Sequence, residues 1–152
     1  MKHLERSVIR RLPTPARDTA LLLARVVTGL VLVAHGWQKL VTDGVAATTD
    51  GFEGMGIPLA PVAAVFATVV ELVGGVLLVA GAATALVGVL VVLDMLGAAL
   101  FVHIGNGVFV AEGGWELVGV IAAGGLALAA AGAGRFSVDH ALARRRRVPA
   151  AA

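Results

Sequence analysis

The chain has 152 residues, 59% of them hydrophobic, with no cysteine and a formal net charge of +2; its mean hydropathy is +0.93. Soluble folds sit nearer ~45–50% apolar, so a single membrane-embedded domain is expected. The absence of cysteine excludes disulfides, thiol exchange and iron–sulfur ligation by the chain's own thiolates, so any redox chemistry must borrow its reactive group. The basic residues gather at the chain ends rather than along one face, which argues against a nucleic-acid partner despite the sequence pI of about 9.9.

In chain order, a basic tail over 1–18 precedes the first apolar run. A bilayer core of about 30 Å needs about 20 apolar residues at about 1.5 Å each, and four windows meet or approach that length. They are roughly 19–41, 59–81, 85–104 and 115–133, within a transmembrane domain over 19–133. The first run is nearly a full span with no small-residue cleavage site after it, so it is read as a retained helix. Thr42 to Pro58 forms a Gly/Asp/Thr-rich loop, Gly81-Ala82-Ala83-Thr84 a tight turn, and Gly105 to Gly114 a second turn-rich loop. Trp115 suits an interfacial anchor at the start of the last span. A second basic tail covers 134–152.

Lys2, Arg6, Arg10, Arg11 and Arg17 precede the first span, and Arg135 and Arg144 to Arg147 follow the last. The intervening loops at 42–58 and 105–114 carry only acids, namely Asp43, Asp50, Glu53 and Glu112. By the positive-inside rule, a multi-pass protein of the inner (cytoplasmic) membrane is expected, with both termini cytoplasmic. The fold class is therefore all-α: an antiparallel four-transmembrane-helix bundle whose glycines let helices approach closely and also offer homo-oligomer interfaces.

Charge inside a span is costly, at ~2.5–3.5 kcal/mol per residue, so Arg25, Glu71 and Asp94 are expected inside the bundle as a paired polar core. A second set, His35, Gln38, Lys39, His103 and Glu116, lies toward the other membrane face and offers ligand or proton handling. On an ideal helix Arg25, Lys39 and His35 share an arc of about 80°. His103 falls about 180° from Asp94, so the two share a cavity only if that helix distorts or ends early. The alternative reading of all these groups is a set of satisfied ion pairs that fix helix register. His35 and His103 also permit a bis-histidine haem, a pairing that arises easily by chance. No phosphate loop, zinc helix, nucleophile elbow or dinucleotide fingerprint is present. No catalytic residue and no metal site are assigned.

Taken in order, Arg25, His35-Gly36-Trp37-Gln38-Lys39-Leu40, Gly54-Met55-Gly56-Ile57-Pro58 and Glu71-Leu72-Val73-Gly74-Gly75-Val76-Leu77-Leu78 resemble the DoxX family of small four-helix bacterial membrane proteins. The likeness continues through Gly81, Met95, His103, Gly113-Gly114-Trp115-Glu116 and Gly132-Ala133-Gly134-Arg135-Phe136-Ser137-Val138-Asp139, covering about 25–140; Asp94 is an acid beyond that pattern. The resemblance implies a membrane subunit of a redox system, linked to a quinone, a sulfur compound or thiol redox homeostasis. No cofactor is expected to be intrinsic; a quinone is the borrowed group, and protein partners supply the metal or thiol chemistry. In that reading His35 or Glu116 handles protons, Lys39 attracts an anion such as thiosulfate, and Glu71 with Arg25 holds the polar core. A non-catalytic membrane scaffold and a small proton- or anion-coupled carrier are the alternatives.

Overall fold

The computed structural model describes residues 13–146; Lys2, Arg6, Arg10, Arg11 and Arg147, used above for orientation, lie outside them. Helix α1 spans Thr14–Thr42, with Pro15 in its first turn, where a missing N–H leaves no helical bond unmade. A short α2 (Val45–Gly54) follows, then α3 (Ala60–Ala80) and α4 (Thr84–Asn106). The described residues close with α5 (Glu116–Ala131) and α6 (Val138–Arg146).

Helices α1, α3 and α4, with 29, 21 and 23 residues, are long and apolar enough to cross a membrane. The 16 residues of α5 are equally apolar but reach only about 24 Å. The span expected over 115–133 is therefore helical for less than its length. A folded connection completes that layer: the Trp115 N–H donates to Gly107 O at 3.2 Å and the Glu116 N–H to Val108 O at 2.9 Å. These bonds and the short 3-10 turn at Val110–Glu112 pair the connection's backbone internally.

Two helices stand where the sequence suggested loop and tail. In α2 the Thr48 and Thr49 hydroxyls donate back to Gly44 O and Val45 O, and the helix packs on α3. In α6 Ser137 Oγ accepts from the His140 N–H at 3.1 Å and so caps the first turn.

The main packing pairs are α1 with α3 and α4 with α5. Contacts run antiparallel, with Arg25 beside Val79, Gly29 against Gly75, and Lys39 beside Glu71. Backbone meets backbone at both crossings. A Cβ on Gly29 would lie 2.6 Å from Gly75 O, and one on Gly75 would lie 2.7 Å from Gly29 O. In the second pair a Cβ on Gly88 would lie 2.6 Å from Gly125 O. Lipid supplies no hydrophobic drive between helices, so this close approach and the dispersion contacts it permits hold the bundle. Leu32, Leu78, Val91 and Leu128 fill the space between the crossings and are almost wholly buried.

Replacing Gly75 by Val drives methyl groups into the α1 backbone and is expected to cost ~1–3 kcal/mol. Gly51 has open space around its absent Cβ, so Gly51→Ala should hold or gain stability. Thermal unfolding of both variants in detergent checks the pair.

Candidate functional site

The bundle has a tied end and an open end. At the tied end Arg25, 0% exposed, donates from Nη1 to Leu78 O at 3.0 Å and Val79 O at 3.2 Å, and from Nη2 to Phe136 O. Gly81, at φ 70°, lies so close to the guanidinium that a Cβ would collide with it. Asp139 accepts from the Ala83 N–H at 2.8 Å and the Thr84 N–H at 2.9 Å, holding Ala83 in its left-handed conformation at φ 50°. Burial pushes the Asp139 carboxyl up, but the N–H groups of Thr84 and Ala83 and the Arg25 charge outweigh burial and hold it below its ordinary range. Asp18 accepts from the Arg135 N–H, and Arg17 donates to Ala131 O. The start of α1, the α3–α4 turn and the end of α5 are thus laced together. The Gly-Arg-Phe-Ser-Val-Asp run is the strap that does it.

The expected cluster of Arg25 with Glu71 and Asp94 does not form. Backbone carbonyls at the end of α3 and at Phe136 accept from the guanidinium instead, because α3 ends level with Arg25, where carbonyls lack their full set of helical donors. Glu71 pairs with Lys39, Nζ to Oε2 at 2.6 Å, with side-chain exposures of 7% and 21%. The pair lies in the wall of a cavity of about 590 Å³ toward the open end. His35, Asp94 and His103 also line it, among apolar residues from α1, α2, α3, α4 and α5.

Three of these groups sit where the helix widens to a π turn: Lys39 in Gln38–Thr42, Glu71 in Val70–Gly74, and His103 in Ala99–His103. A π turn absorbs one extra residue. The separation of Asp94 and His103 therefore falls from about 180° to about 80°, which brings both to one cavity. His103 Nδ1 lies 2.7 Å from Gly113 O. A carbonyl only accepts, so Nδ1 carries the proton, and in the neutral ring Nε2 keeps its lone pair.

Gln38 is exposed and does not line the cavity. Glu116 is also apart from it: its Oε1 accepts from the Val110 N–H at 2.6 Å, pinning the connection before α5. Sequence reasoning missed the lid formed by Phe52, Met55 and Ile57, for which the polar stretch around α2 gave little sign. It also missed Asp18, a lone acid in the first turns of α1.

An all-helical membrane bundle, strapped at one end and holding a buried ion pair against a cavity near the other, is a small polytopic membrane protein. Residues 20–104, more than half the chain, match the DoxX family, and the chain belongs to that family. Over 83 residues it is 39% identical to a Bacillus subtilis (strain 168) protein named "Putative oxidoreductase CatD", covering 55% of this chain and 59% of that protein. Over 88 residues it is 32% identical to "Inner membrane protein YphA" of Escherichia coli (strain K12), covering 58% and 61%. The chain thus spans about three-fifths of the length of these curated relatives. No solved structure matches.

Lys39→Met strands the Glu71 carboxylate and should cost somewhat less than the ~3–5 kcal/mol of a fully buried pair, since Lys39 retains some exposure. Combining it with Glu71→Leu should recover most of the loss, as a double-mutant cycle of unfolding in detergent would report. The Asp139 contact has the sign of a depressed carboxyl: its stabilisation is complete above about pH 4 and is lost as pH falls through the lowered value in the fold. Thermal scans at decreasing pH should therefore show Asp139→Asn less stable near neutrality and converging with the wild type in acid.

Proposed function

We propose that the chain is the membrane subunit of a redox system and that its cavity receives the ring of a quinone from the bilayer. The observation that carries this reading is the cavity itself. Its volume of about 590 Å³ is in the range of small-molecule sites, and its apolar wall is broken by a few convergent polar groups, the usual composition of such sites. Four of its liners, Phe66, Leu93, Phe101 and Met55, are themselves 39–55% exposed, so a lipid-borne ring has an apolar path inward. The relative named as an oxidoreductase supports the redox assignment.

The ion pair favours an uncharged ligand over thiosulfate. Lys39 is neutralised by Glu71 at 2.6 Å, and Asp94 adds a second carboxyl at the same cavity, so no net positive field draws in an anion. Lys39 retains two N–H groups to donate to a ring oxygen. His35 and His103 stand at the cavity as proton-exchanging groups. Reduction of a quinone takes two electrons and two protons; the electrons come from a partner oxidoreductase, and these side chains relay protons. Both termini lie in the cytoplasm in this reading, where the basic tails meet anionic headgroups.

Gly97 lines the cavity and has nothing within 4 Å of its absent Cβ, so Gly97→Leu occupies the space without displacing a neighbour. Mass spectrometry of protein purified from native membranes in mild detergent should find quinone with the wild type and at least tenfold less with Gly97→Leu. Wild-type protein free of quinone, or equal retention by the variant, would sink the proposal.

A further inference from the structure

Among the described residues three buried side-chain atoms lack a hydrogen-bond partner: Arg25 Nε, Thr84 Oγ1 and Asp94 Oδ2. The first two belong to the tied end, where Arg25 satisfies three carbonyls through its other nitrogens and Thr84 donates its N–H to Asp139. Only Asp94 lines the cavity. Its side chain is on α4, 8% exposed, and accepts neither from Lys39, which is engaged with Glu71, nor from any other group. A buried acceptor at membrane depth without a donor is costly unless something that enters the cavity supplies one.

The groups around it define what that donor is. Facing the cavity from α1 are His35 and Lys39, from α3 Glu71, and from α4 itself His103; the lining from α2 and α5 is apolar. His103 presents Nε2 as a second acceptor, because its Nδ1–H is committed to Gly113 O. Two acceptors thus stand open, the Asp94 carboxyl in its ionised form and His103 Nε2, beside an ammonium that still has N–H groups to give. A quinone offers only carbonyl oxygens, which can accept from Lys39 but leave Asp94 and His103 unmatched. A hydroquinone or phenol offers hydroxyls, which donate to those acceptors and still accept from Lys39.

Resting on the quinone-site reading above, we infer that the cavity selects the hydroxyl-bearing, reduced form of its ring ligand, with Asp94 as the acceptor that sets the preference. Sites that bond a ligand hydroxyl discriminate strongly against the analogue lacking it, since the site's own buried polar group is then stranded. Asp94 is thus a specificity residue, and the site holds the hydroquinone, the product of reduction in that reading, more tightly than the quinone it comes from.

The test uses the full chain in nanodiscs of zwitterionic lipid, with a short-chain hydroquinone held reduced under anaerobic conditions and its matching benzoquinone, each titrated by calorimetry. The wild type should bind the hydroquinone about tenfold tighter than the benzoquinone. Asp94→Leu should bring the two affinities within about twofold. Asp94→Asn, close to isosteric and safe for folding, places an amide N–H donor where the carboxylate was and should shift the preference toward the benzoquinone. A wild-type preference for the benzoquinone, or a hydroquinone preference that both variants keep, overturns the inference while leaving the quinone site standing. Binding of neither form by the wild type overturns the quinone site itself.

Discussion

Everything in this bundle depends on how closely its helices approach at Gly29 with Gly75 and at Gly88 with Gly125. Lipid is as apolar as the side chains, so helices gain nothing from leaving it except the packing they make with one another. With no Cβ between them, the backbones meet, and the relative heights of the helices are set to within an atom. Those heights bring the Arg25 guanidinium level with the last carbonyls of α3 and Lys39 level with Glu71. Polar groups within a bilayer have few alternatives, so a small error in height would leave them unpaired.

The two ends of the bundle then solve opposite problems. At the tied end, each helix terminus exposes carbonyls and N–H groups, and a short strap after α5 satisfies many of them: Phe136 O takes Arg25, Asp139 caps the Ala83 and Thr84 N–H groups, and the Asp139 N–H donates to Gly81 O. The strap lies beyond the region matched to the family, yet it closes the structure that the matched region begins. At the open end α2 and the connection before α5 contribute side chains to the wall of the cavity between the helices.

The three π turns connect packing to chemistry. Each widens a helix at an ionisable residue, Lys39, Glu71 or His103, and such turns are rare and occur often at functional sites. They have a mechanical effect as well: the extra residue rotates the rest of the helix, turning His103 toward the side on which Asp94 already stands. A regular α-helix would have aimed the two groups in opposite directions.

The fold class and the family were legible in the residues alone, because apolar runs of membrane length and the spacing of Gly, Pro and charge are local properties. So was the list of groups that needed an explanation, since intramembrane Arg25, Lys39, Glu71 and Asp94 are costly wherever they sit. Which of them pair was not legible. The cost of charge inside a span led to the expectation that Arg25 pairs with Glu71 and Asp94, but helix rotation and the carbonyls at a helix end decided the partners, and neither is encoded in spacing along one helix. The short α5, the helical α2 and the π turns were hidden for the same reason. Each depends on contacts with other elements rather than on the local pattern, so only the tertiary structure decided that Lys39 meets Glu71 and that Asp94 faces a cavity without a donor.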